Sequence, residues 1–165
     1  TKQYAEWLAA GLNLPVSLAD DTGFEQLGNY DFLVLGTPVY FGKLLLRSQL
    51  RKNLKALLGK KIFLFVVSGT PPERKQKLES YVQTSVPEEI RNSSEIYFLR
   101  GRVIMKNLSL YDRLMLRMGA MLTKDPEEKK EMKMEFDDVK KEHLDEMLIA
   151  IKKYSTIKKT VVAAS

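Results

Sequence analysis

The chain has 165 residues, a hydrophobic content of 44% and a net charge of +6, which suits one domain able to bury a core. No apolar run approaches the ~20 residues needed to cross a bilayer, and no signal-peptide pattern opens the chain. It contains no cysteine and a single histidine, His143, which excludes disulfides and thiolate metal sites and argues against a His-based metal cluster or a Ser-His-Asp triad.

Residues 2–12 read as a helix, with Trp7 and Leu8 apolar and Gly11 near its end. A short strand over 14–19 and a turn at 20–23 follow. The apolar run over 30–36 is continuous rather than alternating, as a strand covered on both faces requires. It leads into the loop Thr37, Pro38, Val39, Tyr40, Phe41 and Gly42.

Residues 44–58 read as an amphipathic helix ended by Gly59, with Leu46, Leu50, Leu54 and Leu57 apolar and Arg47, Arg51 and Lys55 on the opposite face. From Lys43 to Lys61 there are seven cations and no acid. This stripe is either solvated surface or a contact for an anionic partner: an acidic protein, a membrane surface or a charged substrate. No nucleic-acid partner is expected, because no binding module or aromatic-basic interleaving accompanies it.

A second buried strand over 61–67 feeds the loop Ser68, Gly69, Thr70, Pro71, Pro72. Helices are expected over 72–83 and 87–92, then a strand over 95–103 with Ile96 and Phe98 on one face and Tyr97 and Leu99 on the other. Residues 109–122 read as a helix, apolar at Leu110, Leu114, Met118 and Met121; 123–131 as a Pro-broken loop; and 136–154 as the last helix, with His143 solvated. Strands alternating with helices predict one doubly wound α/β domain over 1–165. In such sheets ligands sit beyond the carboxyl ends of the strands, so the two loops nominate the site.

The series opens on a helix, although a parallel sheet normally begins with a strand. The tail Ile157-Lys158-Lys159-Thr160-Val161-Val162-Ala163-Ala164-Ser165 has the composition of a strand. The expectation is that it fills the missing first position and ends beside Thr1; the alternative is a frayed terminus.

At both loops the chain resembles flavodoxin-like FMN-binding domains, over nearly its whole length. That resemblance implies a three-layer α/β/α sandwich with a five-stranded parallel sheet, whose first strand is missing from the N-terminus. It implies that Thr37, Pro38, Val39, Tyr40, Phe41 and Gly42 cover one side of the flavin ring, with Tyr40 or Phe41 stacked on it and Gly42 near N5. Ser68, Gly69 and Thr70 would meet the pyrimidine side, and Thr1 and Ser165 would match the ends of the phosphate loop. Plain loop packing is the alternative for the aromatics, and turn formation for Ser68 and Thr70.

Within that family, Gly101-Arg102-Val103 and Leu110-Tyr111-Asp112-Arg113-Leu114-Met115 resemble a segment of menaquinone-dependent protoporphyrinogen oxidase. The resemblance implies electron transfer or flavin-dependent oxidoreduction with a redox partner protein or a quinone, in the cytoplasm or at an anionic membrane surface. Arg100, Arg102, Lys106, Arg113 and Arg117 would then hold propionates or lipid phosphates. Plain packing of an amphipathic helix on the sheet is the alternative, and a flavin-free interaction module is a third reading. No catalytic side chain is nominated.

Overall fold

In chain order, helix α1 (Lys2–Leu12) precedes strands β1 (Phe32–Tyr40) and β2 (Lys43–Leu44). Helices α2 (Arg47–Lys52) and α3 (Leu54–Leu57) lead to β3 (Lys61–Ser68), and α4 (Lys75–Ser85) and α5 (Glu88–Asn92) to β4 (Ser94–Arg100). Then come β5 (Arg102–Val103), α6 (Leu110–Leu122), α7 (Pro126–Glu131), β6 (Phe136–Asp137) and α8 (Asp145–Ala163). These assignments belong to a computed structural model that describes residues 1–17, 27, 30–131 and 134–163. The contacts divide the chain into two compact units, Thr1–Arg100 with Val139–Ser165, and Gly101–Asp138.

The first unit is built on a four-stranded sheet of order β2-β1-β3-β4. β1, β3 and β4 run parallel, and β2 folds back antiparallel on the end of β1. Ile62, Leu64 and Val66 of β3 point into one core with Leu33 and Leu35 of β1 and Leu50, Leu57, Val82 and Ile90 of α2–α5. Phe63, Phe65 and Val67 point into the other, with Tyr4 and Leu8 of α1 and Leu144, Met147 and Ile151 at the C-terminal end. A strand apolar at every position from Ile62 to Val67 thus serves both cores, and helices cover both faces of the sheet. Gly36 lies opposite Phe65 in the register, and a Cβ built on Gly36 would overlap that ring. The missing side chain lets the ring lie against β1.

Several expectations change. The sheet has four strands among the described residues rather than five, and one of them is antiparallel. Residues 14–17 form no strand, and the expected turn at 20–23 lies outside the described residues. The tail does not supply a strand: α8 runs on to Ala163, because no Gly or Pro interrupts the chain from Asp145 onward. The single helix expected over 44–58 is split at Asn53, which caps both pieces. Helix α4 starts three residues late, because Pro72 and Glu73 form a turn in which Arg74 N–H donates to Pro71 O at 3.1 Å.

The expected loop at 123–131 contains α7, with Pro126 at its first position and Glu127 N–H donating to the Asp125 carboxylate at 2.9 Å. The last helix begins at Asp145 rather than 136, because Phe136 pairs with Val103 in a two-stranded ribbon. His143 is half-buried, with Nδ1 3.2 Å from the Tyr4 hydroxyl.

Candidate functional site

The register places the two nominated loops on one rim. Thr37 pairs with Val66, Pro38 with Val67, and Ser68 with Arg100, so all three parallel strands end together. The chain does not loop out at Thr37 as expected. β1 continues through Tyr40, and only Phe41 and Gly42 turn, at φ 47° and 72°, into β2. Positive φ at both central positions is a type I′ hairpin turn, whose twist matches the flanking strands. Pro38 is tolerated because its carbonyl accepts from Leu45 N–H at 3.1 Å. Its missing N–H therefore falls on the hairpin side and not in the β3 ladder.

Thr37 is fully buried, and its hydroxyl accepts from Leu46 N–H at 3.2 Å and donates to Pro38 O at 3.3 Å. It pins the chain leaving β2. Val39 packs on the core beneath. Tyr40 and Phe41 are 47% and 48% exposed, with ring centroids 4.3 Å apart and edge to face. Phe41 is a bulky side chain in the left-handed region, a strained placement that functional sites hold more often than others.

At the neighbouring strand end, Ser68 is buried and donates to Thr70 O at 3.3 Å. The Gly69 carbonyl accepts from the Arg100 guanidinium. Thr70 and Tyr81 share a hydroxyl hydrogen bond of 3.2 Å, and a Cβ on Gly42 would stand 3.7 Å from the Tyr81 ring. Tyr81 of α4 therefore underlies both turns. Ser85, one turn on, accepts from Leu44 N–H at 3.0 Å and ties α4 to β2. Neither residue was nominated from the loops; the inward spacing of Leu78, Tyr81, Val82 and Ser85 on α4 carries that signal.

The third strand end closes the rim. The buried Tyr4 hydroxyl donates to Arg100 O at 2.9 Å and accepts from Lys140 N–H at 3.4 Å. That bond sets the first turn of α1, capped by half-buried Thr1, beside the end of β4. Ser165 lies outside the described residues. Among the described residues, no group of three or more His, Asp or Glu side chains could hold a metal ion.

Charged groups at the other end of the sheet are structural. Lys61 Nζ stands 2.6 Å from the Glu95 carboxylate, which also accepts from Tyr97 Oη at 2.9 Å. The Lys61 ammonium holds Glu95 below the usual carboxylate range against a smaller effect of burial. Burial, then the bond to Glu95, raises the Tyr97 phenol above its ordinary value.

The model of the flavodoxin domain family matches residues 1–130. The chain is a flavodoxin-domain protein. No curated protein and no solved structure matches it. The flavodoxin domain accounts for the parallel sheet covered on both faces, and flavodoxin domains generally bind FMN.

Proposed function

We propose that this flavodoxin domain binds FMN across the rim formed by Tyr40–Phe41–Gly42 and Ser68–Gly69–Thr70, and that it serves electron transfer or flavin-dependent oxidoreduction. The observation that carries this reading is the pairing of two turns at the carboxyl ends of adjacent parallel strands, joined underneath by Tyr81. The groups at the rim suit a flat ring with a polar edge. Tyr40 and Phe41 offer half-exposed aromatic faces, which stack on such a ring. The backbones of Gly42 and Gly69 meet its polar edge, and Thr37 and Ser68 hold the turns in place from below. Pro38 and Val39 fix the approach of the strand. Thr1, at the start of α1, would meet the phosphate. The bound flavin supplies the redox chemistry; the residues bind, orient and shield it.

The test is the visible spectrum of the purified protein titrated with FMN. Tyr40→Ala should weaken binding about tenfold, since stacking adds ~0.5–1.5 kcal/mol to the area it buries. Unchanged affinity would remove Tyr40 from the ring, and a protein that takes up no FMN would leave the flavin-free reading, with the Lys43–Lys61 cations as its contact.

A second reading, an oxidase of protoporphyrinogen type that passes electrons to a quinone, is favoured by the exposed apolar side of α6. Turnover of protoporphyrinogen with a menaquinone analogue separates it from a carrier of electrons between proteins.

A further inference from the structure

The unit Gly101–Asp138 holds α6 at its start by a reciprocal cap. Ser109 Oγ accepts from Asp112 N–H at 3.0 Å and donates to the Asp112 carboxylate at 2.7 Å. The helix is thus formed in the folded protein, and its one acidic residue is engaged at its own N-terminus. Leu110, Leu114, Met118 and Met121 are the apolar positions expected of this helix. All four are exposed, as are Tyr111 and Leu122, with Leu110, Met121 and Leu122 at 84%, 78% and 80%.

At about 100° per residue these six side chains form one unbroken arc of about 120°. Scattered exposed leucines are ordinary, but a contiguous arc marks an interaction surface. Arg113 and Arg117 border the arc on one side, one turn apart, and Lys106 and Lys124 lie beyond the two ends of the helix. Ala120, about 160° round the helix from Met118, is buried.

We infer that α6 lies flat on an anionic lipid surface, its arc sunk between the headgroups and its arginines paired with lipid phosphates. The charge pattern chooses this occupant. A second copy of the helix would bring two more arginines and only a self-bonded Asp112, whereas anionic headgroups complement every cation along the arc. Thirteen residues span about 20 Å, short of the ~30 Å hydrocarbon core, so the helix lies in the plane of the interface. Among the described residues no helix is long and apolar enough to cross a membrane. Arginine suits this edge, because its stem packs on apolar surface while its head stays wet. The inference rests on α6 alone and not on flavin binding.

The test is co-sedimentation of the full chain with vesicles of phosphatidylcholine and phosphatidylglycerol, against vesicles of phosphatidylcholine alone. The wild type should pellet with the anionic vesicles. Leu110→Ser combined with Met121→Ser should lower partitioning by more than about tenfold, and Arg117→Glu by about tenfold. These positions are exposed, so the variants should keep the wild-type circular dichroism. Tyr111→Trp gives a second reading, with emission shifting to the blue on the anionic vesicles. The inference fails if the wild type stays in the supernatant, or if the double serine variant pellets as well as the wild type. It also fails if α6 substitutions abolish a concentration-dependent dimer while vesicles are ignored. FMN titration of the same samples reads the rim separately, so a loss there counts against the flavin reading and not against this one.

Discussion

Phe41 concentrates local strain in one residue. Left-handed backbone costs a side-chain-bearing residue about 1–2 kcal/mol, and a type I′ turn prefers Asn-Gly at these positions. The chain has Phe41-Gly42 instead, and places the phenyl ring against Tyr40 at the rim. Phe41→Asn should therefore stabilise the free protein by about 1 kcal/mol, read from the denaturant midpoint, while weakening FMN binding. A destabilised variant with unaltered FMN affinity would show that the ring serves packing alone. The loop residues that the sequence nominated divide by place: Thr37 lies within β1, Tyr40 at its end and Phe41 in the turn. Thr37 faces the buried core and is occupied with Leu46, whereas Tyr40 and Phe41 reach the surface. Residue type could not separate them, because a threonine in a turn and a threonine closing a hairpin look alike until the register is known.

Elements whose apolar pattern was continuous or strongly periodic were legible: α1, β3, β4 and the inward residues Leu144, Met147 and Ile151. Those set by a partner were not. The extension of β1 to Tyr40 depends on β2, and the ribbon of β5 with β6 depends on a pairing 33 residues apart, from Val103 to Phe136. The amphipathic pattern of α6 located the helix and its apolar side but left open whether that side is covered, since periodicity fixes a face without saying what covers it. At the amino ends of the sheet, the Lys61–Glu95–Tyr97 group makes a pH-dependent contribution. Glu95 is depressed from its ordinary 4.5, so its share of stability is present above that value and is lost as pH falls through the folded-state value. Wild type should unfold at higher denaturant than Glu95→Gln at neutral pH, with the two midpoints converging as the pH drops below 4.5. A gap that persists in acid would exclude the ion pair as its source.

Across the whole molecule, protection from solvent is unequal. β3 is paired along both edges and buried from Ile62 to Ser68, while α6 turns much of its surface to water. Hydrogen exchange should find the slowest amides in β3 and markedly faster ones in α6; equal rates would contradict this ranking. The α/β class followed from alternating patterns, and the shared rim followed from two apolar runs ending in turns. Tyr81 and Arg100, which knit that rim together, needed three-dimensional neighbours to be seen.

Gly36 gives this architecture a remote tuning point. The lateral spacing of the two central strands is set where a phenyl ring rests on bare backbone, several residues below the rim. Even one added methyl there would wedge the strands apart and splay the cleft above, altering cofactor grip from a position that no ligand touches.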